Sequence, residues 1–367
     1  MIYIYFTITL LFSFITAVVS VYNLVTRPVL RYRPRNTIDT KPLVSVLIPA
    51  RNEEKIIDRM LYTVMQQSYR NLEIIVLDDR SEDRTRKIAD SITHIERRLR
   101  VVSGKELPAG WVGKNWACHQ LSLHAKGELL LFVDADVRLA PEAVSSAVAH
   151  MQNDRLSMLS LFSTQIMKSF GERLVVPLMN WLLLAFLPLR LVADSPNPKF
   201  VAANGQFIMI RKDIYDTIGG HETVRDKVVE DMEIARTLKR SGRRVMTLLG
   251  GDLVSCRMYN NAGDSVRGFT KNFYAGFNTS KSMFIAMLFV FAAVFLGPFI
   301  AIVEYGFFIY PVIFIIVNRL CISIVSQQPV LYNILLHPVH MMIMVIIGIR
   351  SVEAYSKRQI VWKGRRL

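Results

Sequence analysis

The stretch "GELLLFVDADVRL" constrains this chain more than any other. Leu129 to Val133 form an unbroken apolar run, and Asp134 and Asp136 follow it with one alanine between them. Upstream, "PLVSVLIPARNEE" holds a comparable run at 44–48, stopped by Pro49, and "NLEIIVLDDRSEDRT" holds another at 73–77 that ends in Asp78 and Asp79. A shorter strand covers Arg100 to Ser103. Between the first two runs, residues 54–67 place Ile57, Met60, Leu61 and Val64 at helical spacing, and roughly 83–98 reads as a charged, amphipathic helix. Apolar strands that alternate with helices predict an α/β domain with a mostly parallel sheet covered on both faces. Ligands of such sheets bind beyond the carboxyl ends of the strands, where Asp78, Asp79, Asp134 and Asp136 all fall. Acids at i and i+2 across a turn can reach one divalent cation. Mg²⁺ or Mn²⁺ suits them, because these ions prefer oxygen ligands and share their shell with substrate phosphates.

The flanks belong to another solvent. Of the 367 residues, 51% are hydrophobic and mean hydropathy is +0.29, while the 20% that are charged cluster in the middle. Residues 1–25 carry no charge, and Arg27, Arg31, Arg33 and Arg35 follow. A cleavable signal would carry its positive charge ahead of the apolar core. Residues 1–26 therefore read as a span of about 20 residues, amino end outside and the following domain, 43–280, in the cytoplasm. Residues 283–303 and 306–325 predict two further spans joined near Glu304, with Arg319 snorkelling at the cytoplasmic end of the second. The stretch 329–350 holds Asn333, His337, Pro338 and His340. A full crossing would put the basic tail, 351–367, outside, so a re-entrant segment is favoured over a third span. Residues 174–192 are almost long enough to cross, but crossing would separate Asp134 and Asp136 from everything between Ser195 and Lys281. Pro177, Pro188 and Arg190 also break them, so they read as an interfacial helix, with a buried core helix as the alternative.

The formal net charge is +15. Its excess flanks apolar segments, which favours anionic lipid headgroups, and no zinc-finger, RRM-like or helix-turn-helix pattern points to nucleic acid. Cys118, Cys256 and Cys321 lie far apart without a CxxC pair, so neither a disulfide framework nor a zinc site is implied, and a reducing compartment fits.

"VSVLIPARNEE", "VLDDRSEDRT", "FVDADV" and "VVEDMEIARTLKRSG" occur in an order and spacing that resembles family 2 glycosyltransferases of GT-A fold, over about 43–280. "LPAGWVGKNWA", "NGQFIMIRKDIYDTIGGH", "RMYNNAGDSVRGFTKN" and "VWKGR" are similar to a narrower membrane-bound branch that includes hopanoid-associated and diaponeurosporenoate glycosyltransferases. The resemblance implies a nucleotide-sugar donor whose nucleoside meets Asp79, with Asp78 beside it, and whose base and ribose are wrapped by Pro49, Ala50, Arg51 and Glu53. Asp134 and Asp136 would hold Mg²⁺ or Mn²⁺ and through it the diphosphate. Glu230 and Asp231 open the helix "EDMEIARTLKRSG", with Asp231 as the catalytic base. Lys114 could reach the donor phosphates, and Asn204 and Gly205 shape the pocket near the sugar.

Processive polysaccharide synthases of this superfamily carry QxxRW after the base helix. Here "DSVRGFTKN" keeps Arg267, which could still meet the diphosphate, while Asp264 and Gly268 occupy the Gln and Trp positions. The reading is therefore inverting transfer of a single sugar, from a UDP-sugar by family analogy, to a membrane lipid hydroxyl or carboxyl at the cell (inner) membrane. Polyprenyl-phosphate glycosyl transfer, polysaccharide synthesis and a non-catalytic nucleotide-binding scaffold are the alternatives. Oligomeric state is not legible.

Overall fold

The computed structural model describes residues 1–32, 41–277, 279–357, 361–363 and 365–366; Arg33 and Arg35 of the basic run and Arg358 of the tail lie outside them. The chain opens with α1 (Ile2–Thr26). Alternating elements follow: β1 (Val44–Ala50), α2 (Ile57–Met65), β2 (Leu72–Asp78), α3 (Thr85–Thr93), β3 (Leu99–Ser103), α4 (Gly113–His124) and β4 (Leu129–Val133). The next part runs β5 (Val137–Leu139), α5 (Ala143–Asn153), β6 (Met158–Phe162), β7 (Thr164–Gln165), α6 (Phe170–Val175), α7 (Pro177–Phe186) and α8 (Leu191–Asp194). Then come β8 (Phe207–Arg211), α9 (Lys212–Thr217), α10 (Glu230–Arg240), β9 (Val245–Leu249) and β10 (Val254–Cys256). The last helices are α11 (Ala262–Phe277), α12 (Lys281–Phe295), α13 (Gly297–Ala301), α14 (Ile309–Val325), α15 (Val330–Leu335) and α16 (His337–Ser356).

The main sheet has the order β3-β2-β1-β4-β8-β6-β9. β3, β2, β1 and β4 are parallel, β8 runs antiparallel to both β4 and β6, and β6 and β9 are parallel. A small sheet, β5-β10-β7, lies beside it. Strand alternation explains the unbroken apolar runs. Leu129, Leu131 and Val133 face one buried layer with Val46 and Ile48, while Leu130 and Phe132 face the other with Leu47.

Several boundaries differ from the sequence expectation. β1 continues through Pro49, because β4 pairs with β1 only as far as Leu47↔Phe132 and the missing N–H of Pro49 costs no ladder bond there. α2 begins at Ile57 instead of 54. The Glu53 and Glu54 amides donate to Thr85 Oγ1 (2.7 Å) and Asp83 Oδ2 (3.1 Å), holding that stretch as a loop over the start of α3. α3 ends at Thr93, well before 98, and Arg98 folds back onto Glu96 (2.7 Å) as the chain turns into β3.

Among the described residues, four helical stretches are long and apolar enough to cross a membrane: Ile2–Thr26, Lys281–Ala301, Gly306–Val325 and His337–Ser356. The second breaks at Leu296, and α13 restarts at Gly297 with Pro298 in its first turn. Residues 174–192 form a broken helix: α7 stops at Phe186, and Asn23 of α1 caps the break. Its side-chain amide donates to Leu184 O and Leu187 O (both 2.9 Å) and its carbonyl accepts from Leu189 N (2.9 Å). Asn318 of α14 accepts from Trp181 Nε1 (3.0 Å) and donates to Thr16 O and Ser20 Oγ. α7 is thereby tied to α1 and α14, and one apolar layer runs from the sheet through Trp181 and Leu184 into Phe284, Ile315 and Met344.

Arg319 does not snorkel. It is 1% exposed, donates through Nε to His337 Nδ1 (2.6 Å) and lies over the Trp181 ring at 5.2 Å. The reason is tertiary: α15 and α16 fold back around it. The segment 329–356 leaves from and returns to the same part of the molecule. At one end Gln327 donates to Asp252 (2.7 Å); at the other, Ser351 donates to Thr270 O (2.6 Å).

Candidate active site

Two groups of loops converge at the carboxyl ends of β1, β2 and β4. In the first, Asp78 and Asp79 are both buried, not solvated loop acids, and Asp79 N donates to Ala50 O (2.8 Å). Pro49 and Ala50 pair with Leu77 and Asp78 at the strand ends. Arg51 is buried too. Its Nη1 donates to Asp79 O (2.7 Å) and Arg80 O (2.9 Å), and its Nε to Lys363 O (3.1 Å). The guanidinium is a clamp on the β2–α3 loop and on the tail. Glu53 pairs with Lys363 Nζ at 2.8 Å. Burial raises the pKa of Glu53, and Lys363 pulls it partly back. The basic tail thus docks beside the site.

In the second group, Lys114 is the hub. It is the second residue of α4, and its ammonium sits 2.8 Å from Asp134 Oδ1, 3.1 Å from Oδ2, 3.4 Å from Gly205 O and 3.5 Å from Glu230 Oε1. Burial works against its charge, but Asp134 and Glu230 outweigh burial and hold the pKa well above the usual lysine value. Gly205 permits this convergence: a Cβ there would lie 2.8 Å from Lys114 Nζ and 3.2 Å from Glu230 Oε1. Asn204 shapes the turn, its Oδ1 accepting from Gln206 N (2.9 Å) and its own amide donating to Ser160 Oγ (2.8 Å).

Asp231 lies in the first turn of α10, where the helix dipole favours a carboxylate. Gly205 N donates to its Oδ2 (2.7 Å) and Met232 N to its Oδ1 (2.8 Å). Burial, then the neighbouring Glu230, still pushes its pKa up to about 7, in the range a general base needs. Asp136 is likewise raised to about 7, by burial and then by Asp134 and Glu53.

The donor set suits a hard divalent cation. Asp136 Oδ1 is buried with no hydrogen-bond partner among the described residues, an acceptor left open beside a second carboxylate. No group of three or more His, Cys, Asp or Glu able to hold an ion occurs among the described residues. Asp134 and Asp136 would supply two oxygen ligands, leaving the rest of the shell to diphosphate and water.

Arg267 is not brought in. Its side chain is 76% exposed and paired with Asp264 on the flank of α11. One turn later, Lys271 is half-buried and feels the charges of Glu230, Lys114, Asp134 and Asp231; burial lowers its pKa to about 8. The sequence reading missed it, although its i+4 spacing from Arg267 on one amphipathic helix was the available signal. It also missed Cys256, whose buried thiol accepts from Gln206 Nε2 (3.2 Å).

A doubly flanked α/β sheet with carboxylates at its strand ends offers a ligand crevice there. Residues 45–219 match the model of glycosyl transferase family 2. The chain carries that domain on a GT-A-like fold and is a glycosyltransferase. It is similar to 4,4'-diaponeurosporenoate glycosyltransferases. The one from Staphylococcus haemolyticus is 26% identical over 258 residues, covering 70% of this chain and 67% of the relative. That of Staphylococcus aureus N315 is 28% identical over 260 residues, covering 68% and 67%. Among solved structures, a mannosyltransferase from Pyrobaculum calidifontis, in complex with GDP-Man and Mn²⁺, aligns over 95% of this chain and 98% of its own, with a TM-score of 0.56 and 16% identity. That likeness shows the fold.

Proposed function

We propose that this glycosyltransferase moves a single sugar, with inversion, from a nucleotide-diphosphate sugar to the hydroxyl or carboxyl of a membrane lipid. The observation that carries the reading is the placement of Asp231. Two backbone N–H groups aim its carboxylate at the Gly205 turn, across which Lys114 joins Asp134 and Glu230. A sugar held in that turn has a base on one side and the phosphate-handling groups on the other. Asp231 takes the proton of an acceptor hydroxyl as its oxygen attacks the anomeric carbon, which supplies ~10²–10⁴-fold. An acceptor carboxylate needs no proton removed, and a protonated Asp231 would orient it by donating a hydrogen bond. Lys114 and Lys271 are the cations near the leaving diphosphate. A divalent ion held by Asp134 and Asp136, when bound, would neutralise charge on that diphosphate. Asp79 and the loop clamped by Arg51 would receive the nucleoside, a UDP by family analogy.

The acceptor side rests on the apolar layer that α7 continues from the sheet into the terminal helices. The relatives' names give diaponeurosporenoate, by its suffix a carboxylate. We take α1, α12–α13 and α14 as spans of the cell membrane. In this reading α7 lies at the interface and α15–α16 re-enter from the cytoplasmic face, which carries Arg27, Arg31 and the catalytic domain.

Mass spectrometry of lipid extracts from cells with and without the protein tests the reading. A lipid shifted by one hexose, absent with Asp231→Asn, is expected. A polymer ladder would favour a polysaccharide synthase, a hexosylated polyprenyl phosphate the carrier-lipid reaction, and an unchanged lipidome the scaffold.

A further inference from the structure

Lys114 grips the carboxylate that the metal would need. Its ammonium contacts both oxygens of Asp134, at 2.8 Å and 3.1 Å, and reaches Glu230 at 3.5 Å. It cannot drift away easily: Gly205 O accepts from it at 3.4 Å, and the glycine's bare Cα lets the chain close over it. Asp136, the other half of the pair, keeps an unpartnered buried oxygen.

A cation ligated to Asp134 would lie about 2.0–2.1 Å from a carboxylate oxygen. With Lys114 on that same oxygen, ammonium and dication would be no more than about 5 Å apart, in a pocket where burial strengthens their repulsion. Sharing Asp134 therefore carries a repulsive cost that added anionic charge would relieve. A nucleotide diphosphate adds that charge, and Glu230 offers Lys114 a second anchor while it turns toward the phosphates.

We propose that Lys114 is a tethered placeholder for the metal, keeping the Asp134–Asp136 pair from loading a divalent ion until the donor diphosphate arrives. The inference rests on the reading of Asp134 and Asp136 as metal ligands. It makes metal and donor binding mutually dependent, and linkage requires the dependence to be reciprocal.

The test is Mn²⁺ binding to the purified full chain, followed by electron paramagnetic resonance of free Mn²⁺, without nucleotide and with UDP or GDP, each corrected for nucleotide alone. Wild-type protein should bind Mn²⁺ at least about tenfold more tightly with the matching nucleotide, a coupling within the usual allosteric range. Lys114→Met should gain severalfold without nucleotide, and its coupling should fall by that same factor, leaving what direct phosphate ligation supplies. Lys114→Arg, which keeps the charge, should behave as wild type. Equal Mn²⁺ affinity of the wild type with and without nucleotide overturns the placeholder role, even if Lys114→Met fails to fold. So does equal nucleotide-free affinity of wild type and Lys114→Met. If no form binds Mn²⁺ under any condition, the metal reading itself falls, which is a different result.

Discussion

At the scale of single residues, the site is governed by how burial and charge divide the carboxylates. Asp231 accepts two backbone hydrogen bonds, which favour its ionised form, yet burial and Glu230 lift its pKa to about 7. If it is the base of a hydroxyl transfer, only the ionised form works. Transfer should therefore rise with pH through about 7, falling roughly tenfold per unit well below it. Asp231→Asn should cut kcat by ~10²–10⁴-fold and abolish the slope; initial rates in a pH series on both proteins check this. A retained slope in the variant would assign the titration to another group, Asp136 being the nearest in pKa.

Among elements, the informative contacts are those that join a helix to a loop or strand distant in sequence. Asn318 bonds α14 to α7 and α1 at once, and Asn318→Ala would leave Trp181 Nε1 buried without its acceptor. A loss of about 1–3 kcal/mol is expected, read as a lower melting temperature in detergent. The tail acts beside the site. Lys363 neutralises Glu53 and accepts from Arg51, so Lys363→Ala leaves an uncompensated acid near Asp134 and Asp136. Donor KM should rise about two- to fivefold, the worth of one half-buried ion pair, with kcat little changed. A fall in KM would mean the tail obstructs the site.

For the whole molecule, the question is which side of a bilayer each end occupies. Gln327 and Ser351 both contact the body that carries the site, so α15–α16 should not cross. Single cysteines at Tyr3 and Val303 should react with an impermeant maleimide on intact cells, and one at Lys357 only after permeabilisation. Labelling of all three from outside would make α15–α16 a fourth crossing. Much of this architecture was readable directly. The buried parallel strands, the acids at their ends, the charge-free amino-terminal helix and the break at 174–192 depend on local composition and on the two-residue and 3.6-residue periods, which neighbours in sequence dictate. What the linear order could not reveal were pairings between distant segments: Arg319 buried on His337, Arg51 turned into a clamp, Lys271 rather than Arg267 facing the acids, and Lys114 seated on Asp134. Each depends on which helix folds back on which. A buried charge is tolerable only where such a fold brings it a partner, and that partner's identity is a property of three dimensions.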